Sequence, residues 1–473
     1  MQIKSNHDRM FRKALFLLFT VSALRAQYPL QMETRVGLIG ATEQTPFFLH
    51  SNRYGLVPEN GGVLYLNARV AKEYDTLRHN FDYGFTVEPH LNAGKASQFL
   101  LPQAYVKSKW KFLEVYGGRR KEIVGLTDTL LTSGSYIWSG NALPLWKIQA
   151  GIPEYTPLLK NGLIAVKGAM AHGWFDSGRP VTRQVKLHQK WIYMRLGKPA
   201  WKAKVHAGFN HQVQWGGESP FFSVDGKLPD GFANFQYVFL GTRHPKVTSE
   251  IPDFDGENRV GNHLGTVDLG LDMKTAFGGI LIYRQNIYED GSLFFLNNIT
   301  DGLNGLTLTF NGFTLLRRIN LEYLRTMNQG GDIFIGGDNI PGQLRGRDNY
   351  FNHAQYRDGW TYKGRVIGTP LISTLYYSWD DPEYQIDNNR VEMFQWALAG
   401  RLPLEIDYVL KGNYSTNLGT YQFPFKARTQ SSFLLALQKN NTASSAVRVE
   451  LAYDRGTLLP VSAGVNVSYI KSW

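Results

Sequence analysis

The chain has 473 residues, a formal net charge of +12 and no cysteine. No disulfide framework is available to it, and past its N-terminus no stretch offers the ~20 consecutive apolar residues that a membrane-spanning helix needs. A disulfide scaffold and a helical membrane protein are both excluded.

The N-terminus reads as a secretory signal. Lys4, Arg9, Arg12 and Lys13 form a basic n-region, residues 14–24 a short apolar run through Leu15, Phe16, Leu17, Leu18 and Phe19, and Ala26 a small residue for cleavage. Residues 1–26 are therefore expected to be removed, with Gln27 starting the mature chain. Residues 27–60 are read as a periplasmic N-terminal segment. Pro29, Pro46 and Pro58, with Gly37, Gly40 and Gly55, leave little room there for long helices.

From there on the pattern has period two. Phe81, Tyr83, Phe85 and Val87 alternate with Asp82, Gly84, Thr86 and Glu88. Val205, Ala207 and Phe209 alternate with His206, Gly208, Asn210 and Gln212, and Val267, Leu269, Leu271 and Met273 with Asp268, Gly270, Asp272 and Lys274. Leu404, Ile406 and Tyr408 alternate with Glu405 and Asp407, and Val447, Val449, Leu451 and Tyr453 with Arg448, Glu450, Ala452 and Asp454. Strands of a transmembrane barrel alternate in this way, apolar toward lipid and polar toward the lumen, with aromatic residues near their ends. The mean hydropathy of −0.28 suits such a barrel, because only half of each strand meets lipid.

The last strand is the sharpest. Val461, Ala463, Val465, Val467, Tyr469 and Trp473 share one face, and Ser462, Gly464, Asn466, Ser468 and Ser472 the other, with Ile470 as an exception. Lys471 interrupts the apolar face where it can snorkel to the interface. No Pro-rich linker or charge block divides residues 27–473, so they read as one antiparallel transmembrane β-barrel in the all-β class. At roughly 22–28 residues per strand and turn, it would hold about 16–20 strands, an even number being usual.

Five blocks, in order, carry a family resemblance: TPFFLHSNRYGLVP at 45–58, GRRKEIVGLTDTLLTSGSYIWSGNALPLWKIQAGIPEYTPL at 118–158, LHQKWIYMRLGK at 187–198, GFNHQVQWGGESP at 208–220 and DNYFNHAQYRDGWTYKGRVIGTPL at 348–371. In these the chain resembles the capsule assembly Wzi family of outer-membrane proteins. The resemblance implies about eighteen strands, a lumen obstructed by loops and a small helical plug on the periplasmic side. It also implies a lectin role, holding capsular or exopolysaccharide at the surface of a Gram-negative cell.

The residues themselves leave two other functions open: a porin conducting small solutes, and an outer-membrane enzyme acting on lipid or glycan. Against an enzyme, the chain has no GxSxG elbow, HExxH helix, Walker loop or GxGxxG turn. No cofactor or metal is expected. His206 and His211 lie on opposite faces of one strand, which argues against joint ligation. The excess positive charge fits acidic glycan or lipopolysaccharide phosphates, and fits solvated surface charge as well. Membrane lipid is the other expected partner, nucleic acid is not, and the chain is expected to be a monomer.

Sugar recognition needs flat aromatic faces and planar polar groups. The segment 350–365 supplies both, in Tyr350, Tyr356, Trp360 and Tyr362 with Asn352, His353, Asp358 and Arg365, while Arg357 and Lys363 add positive charge. Trp138, Asn141 and Trp146 form a second candidate set, although Asn141 also suits a plain turn. Gln212, Gln214, Trp215 and Glu218 form a third, the two glutamines facing the lumen if Val213 meets lipid. The same aromatics also fit a belt or structural lumen role.

Overall fold

The computed structural model describes residues 30–75, 80–245, 249, 251–289, 292–333, 346–375 and 384–473. The expected signal segment, residues 1–26, lies outside them. Strands β1 (Leu30–Ala41), β2 (Val63–Lys72), β3 (Phe81–Gly94), β4 (Gln98–Trp110) and β5 (Leu113–Arg119) open the chain. They are followed by β6 (Trp146–Pro157), β7 (Ile164–Trp174), β8 (Lys186–Leu196), β9 (Ala203–Trp215) and β10 (Asn262–Lys274). Next come β11 (Gly278–Tyr288), β12 (Gly302–Phe310) and β13 (Arg318–Arg325). A small hairpin of β14 (Thr361–Tyr362) and β15 (Arg365–Val366) then precedes β16 (Val391–Leu402), β17 (Ile406–Gly419), β18 (Pro424–Thr442), β19 (Ser445–Gly456) and β20 (Ser462–Ser472).

All but β14 and β15 join one 18-stranded sheet, each strand antiparallel to its neighbour in sequence. The sheet closes where β1 meets β20, from Glu33 opposite Ser472 to Ala41 opposite Gly464. Closure removes the sheet edges, so every strand pairs its backbone on both sides, as a lipid environment demands. Segment 27–60, expected to precede the barrel, thus contributes β1 to its wall. The glycine-bearing stretch around Gly37 and Gly40 is strand, with Gly37 directly opposite Tyr65.

The alternation in sequence becomes inside and outside. On β3, Phe81, Tyr83, Val87 and Leu91 are exposed on the outer wall, and Asp82, Thr86 and Glu88 are buried in the lumen. On β20, Val465, Val467 and Tyr469 face out, and Ser462 and Ser468 face in. Glycines on the inner face make room for aromatic rings of the adjacent strand. A Cβ at Gly208 would lie 2.2 Å from the Tyr193 ring, and one at Gly305 2.0 Å from the Tyr283 ring. Exposed aromatics ring both ends: Trp110, Phe112, Phe277 and Trp473 at one, Phe99, Trp146, Trp174 and Phe423 at the other.

The two ends differ. One carries the start of β1, the C-terminus and tight connections such as 111–112, 275–277, 403–405 and 443–444. The other carries the long connections 42–62, 120–145, 216–261 and 326–390. The described parts of three of these, 42–62, 120–145 and 326–390, fold back into the lumen. Phe47, Tyr136, Ile137, Trp138, Tyr350, Phe351, Trp360 and Ile367 belong to one buried cluster that fills it. The described α-helices, α1 (Phe47–His50), α2 (Phe232–Leu240) and α3 (Asp253–Glu257), all sit in long connections. The expected helical plug at the end bearing the termini is not seen among the described residues. Loops entering from the opposite end obstruct the barrel instead, and their proline and glycine content explains why they do so without long helices.

Inserted loops cannot pair their backbone as strands do, so the wall pairs it for them. Glu322 on β13 accepts hydrogen bonds from the Thr132 hydroxyl (2.6 Å), the Ser133 N–H (2.5 Å) and the Tyr283 hydroxyl (2.6 Å). Asp268 accepts from the Leu126 N–H at 2.9 Å, Gln285 from the Tyr136 N–H at 2.9 Å, and Asp454 from the Phe47 N–H at 2.8 Å. Glu289 holds the Phe351 N–H, and the Gln395 amide donates to the Leu131 carbonyl at 2.9 Å. Replacing Glu322 with leucine strands three buried donors, at roughly 1–3 kcal/mol each. The Glu322→Leu protein should still assemble as a heat-modifiable barrel, but limited proteolysis should cut segment 120–145 much faster than in the parent. Equal cutting would mean that this carboxylate does not hold the loop.

Candidate functional site

Where the inserted loops meet the long-loop rim, the hairpin β14–β15 points its turn, Lys363 and Gly364, out of the lumen. Gly364 has φ +75°, and a Cβ placed on it would meet nothing within 4 Å, so the turn is both left-handed and open. A cavity lies on each side of it. One, of about 640 Å³, runs between the hairpin and the wall of β17–β19, past His50, Asn141, Arg365, Asn417 and Arg428. The other, of about 690 Å³, faces the β3–β4 rim and is lined by Arg119, Asp176, Arg179, Lys363 and Arg365. Both are of ligand size, and both contain Gly364 and Arg365.

Arg365 ties the hairpin to the first inserted loop. Its guanidinium donates to the Val57 carbonyl at 2.7 Å and to His50 Nδ1 at 3.2 Å, with the Glu59 carboxylate 3.8 Å away. Burial, aided by the Arg365 charge, pushes the His50 pKa down to about 3, so the ring is neutral and its Nδ1 accepts. Lys363 pairs with Asp176 at 3.0 Å while half of its side chain stays exposed. Arg179 is buried against Asp358, 3.4 Å from its carboxylate. The rim is thus rich in cations that are paired within the protein and still face two open cavities.

The segment 350–365, expected to be a sugar platform, is mostly the core of the plug. Tyr350 and Trp360 are fully buried. The Tyr350 hydroxyl donates to Asp301 at 3.1 Å, and the Trp360 indole N–H donates to the Ile137 carbonyl at 2.8 Å. Trp360 meets Trp138 and Phe175 edge to face, at 6.1 and 6.0 Å between ring centroids. Tyr356 is buried beside His353, and the Tyr362 hydroxyl accepts from Arg119 at 2.6 Å. Rings enclosed in this way present no face to a sugar. The aromatic and polar residue types that bind glycans also fill a polar-walled lumen, and here they do the second.

Asp358 caps the backbone of the β7–β8 connection, accepting from the Val181 and Thr182 N–H groups at 3.0 and 2.8 Å. Asn352 donates to the Ile386 carbonyl at 2.8 Å. Asn352 and His353 also line a separate polar cavity of about 180 Å³ with Arg259 and Arg347. Burial pushes the His353 pKa down to about 3.

The second candidate set divides. Trp138 is buried, with the Lys147 ammonium 4.9 Å from its ring centroid. Asn141 both turns the chain and bridges two inserted loops, accepting from the Asn52 N–H at 3.3 Å and donating to the Val366 carbonyl at 2.9 Å. Trp146 stands opposite Trp174 on the outer wall, where both rings are exposed, and is a belt residue. In the third set Gln212 and Gln214 do face the lumen, Gln214 donating to the Gly359 carbonyl at 3.0 Å. Val213 faces outward but is covered, packed with Trp215, Val238 and Val260. Of all the sequence candidates, Arg365, Asn141 and Lys363 reach the main cavities. His50, Arg119, Arg179 and Arg428 escape sequence reasoning, since isolated basic or imidazole side chains carry no local motif.

A closed antiparallel barrel with apolar outer rows, two aromatic rings and a lumen filled by its own loops is an outer-membrane β-barrel of the obstructed kind. The chain belongs to the capsule assembly protein Wzi family, whose model matches residues 33–373. Among solved structures it is similar to Wzi of Escherichia coli, described as an outer-membrane, carbohydrate-binding β-barrel involved in group 1 capsule assembly. That similarity has 15% sequence identity, 93% of this chain and 83% of that chain covered, and a TM-score of 0.60. Acinetobacter baumannii OccAB4 aligns with 9% identity, 94% and 97% coverage and a TM-score of 0.47. Pseudomonas aeruginosa OccK10 aligns with 7% identity, 94% and 98% coverage and a TM-score of 0.46. No curated protein matches the chain in sequence.

The neutral His50 makes the α1 seat sensitive to acid. Its folded pKa lies below its unfolded one, so the stabilisation is complete above pH about 6.5 and is lost as pH falls from there toward 3. Protease protection of segment 42–62 should therefore decline between pH 7 and pH 5 in the parent and stay flat in His50→Gln. A parent that is equally protected at both values would contradict the neutral-ring assignment.

Proposed function

We propose that the chain is an outer-membrane lectin that binds capsular or exopolysaccharide at the long-loop mouth and helps to anchor or assemble it there. In this reading the long loops lie at the cell surface, and the tight turns and both chain ends lie in the periplasm. Barrels of this kind place short turns on the periplasmic side and longer loops outside. The outer-membrane lipid around the wall, including lipopolysaccharide, is its environment, and it acts as a monomer.

The observation that carries the proposal is the pair of cavities meeting at Gly364 and Arg365 above a filled lumen. A polymer needs an open, elongated site rather than an enclosed pocket, and two cavities joined across a low hairpin supply one. Lys363, Arg365, Arg119 and Arg428 around them favour an acidic glycan over a neutral one. The carbohydrate binding described for the Escherichia coli protein supports the same reading. The filled lumen favours binding over solute conduction.

Lys363→Glu with Arg428→Glu should weaken an acidic oligosaccharide roughly tenfold, about 1.4 kcal/mol, as expected for two partly exposed charge contacts. Raising the salt concentration should narrow the gap between variant and parent. Isothermal calorimetry with acidic and neutral oligosaccharides of equal length reads both effects. Unchanged affinity of the folded variant for the acidic series would place the site elsewhere.

A further inference from the structure

The outer wall changes character along β8. Its outward row runs Lys186, His188 and Lys190 at the long-loop end, then Ile192, Met194 and Leu196, whose side chains are exposed. The inward neighbours fix this assignment, because Gln189 accepts from the lumenal Lys147 at 2.6 Å. On β9 the outward His211 bonds His263 of β10 at 2.9 Å, while Phe209 and Val205, farther from the long-loop rim, are exposed. Imidazole and ammonium groups facing hydrocarbon are costly, so these rows need either water or a protein cover.

Helix α2 lies across the polar rows and covers them. Its Val238 is fully buried against Val213, Trp215 and Val260. Phe235 sits edge-on to His188 at 5.2 Å and packs on Trp215 at 5.5 Å. The Lys190 ammonium donates to the Phe239 carbonyl, fixing the C-terminal end of the helix to the wall. With that face spent on the barrel, the nine-residue helix still shows Phe232 at 92% and Leu240 at 68% exposure.

We propose that α2 is an interfacial helix, and that Phe232 and Leu240 insert among the acyl chains of the leaflet around the long-loop end. Leu240 follows Phe239, which is held at Lys190 next to the exposed Ile192, and Phe232 lies toward the rim, where Asp230 pairs with Lys186. Two protruding side chains on a short helix fall well below the roughly 800 Å² per partner of a stable protein interface. The exposed face is apolar at Phe232 and Leu240 with the neutral Gln236 between them, and the cations beside it, Lys186 and Lys190, belong to the wall, an arrangement that a helix lying in the membrane surface tolerates. The polar outward rows of β8 to β10 are then shielded from lipid by a segment that itself belongs to the lipid boundary. Which leaflet this is rests on the orientation proposed above; the insertion does not.

The chain has no cysteine, so a single introduced one carries a unique spin label. Phe232→Cys and Leu240→Cys, labelled and reconstituted in phospholipid vesicles, should collide with oxygen more than with a water-soluble nickel chelate. Their ratio should resemble that of Leu269→Cys on the mid-wall and differ from that of Lys363→Cys at the mouth. A ratio like that of Lys363→Cys would overturn the proposal. So would shielding from both reagents together with spin–spin broadening that grows with protein density, which would mean contact with a second copy. Heat-modifiable migration shows that each variant is folded, and a mouth-like ratio at either helix position overturns the proposal. Reaction of Lys363→Cys on whole cells with an impermeant maleimide reports the orientation separately, so the two readings fail independently.

Discussion

The structure depends on one requirement: backbone brought into the lumen must be hydrogen-bonded there. A buried, unpaired N–H or carbonyl costs about as much as several favourable contacts return. The wall meets the requirement with carboxylates and amides that point inward from alternate strand positions. Glu322, Asp268, Glu289, Gln285 and Asp454 each receive backbone N–H groups from inserted loops. Polar inward rows that would line an aqueous channel in an open barrel serve here as the partners of a plug.

From this follows the role of the aromatic residues. Once the loop backbone is fixed to the wall, Tyr136, Trp138, Tyr350, Phe351 and Trp360 fill the space between the loops and make one cluster with Phe47 and Ile367. Large flat side chains exclude water over the width of the barrel at modest conformational cost. The plug then becomes a rigid base. On it stands the β14–β15 hairpin, held by Arg365 to the first loop and by the Trp360 indole N–H to the second. Cavities at the rim keep their shape because their floor is packed core.

Much of the fold is legible in the sequence because it has a simple period. The alternation at 81–88, 205–212, 267–274 and 447–454 places every named side chain on the face where it lies. The aromatic chain end also falls where expected, Trp473 donating its N–H to the Met32 carbonyl beside the closing pair of strands. The plug is less legible, since its loops have no period, and their pairing partners are hundreds of residues away in sequence: Phe47 with Asp454, Ser133 with Glu322. The glycines and prolines of segment 27–60 argue against helix and so suggest a segment outside the wall; they do not argue against an edge-free strand. In the candidate site the residue types are legible and their accessibility is not. Composition cannot tell a ring that stacks on a sugar from one that stacks on another loop, whereas Arg365, a cation at a glycine-flanked turn, sits at the mouth.

Wall-to-loop hydrogen bonding closes the lumen. Single-channel recording of the purified barrel in a planar bilayer tests it most directly. A plug bonded around the wall predicts a membrane that stays near its baseline conductance, interrupted at most by brief events. A large, steady, ohmic conductance from the folded parent protein would contradict the account.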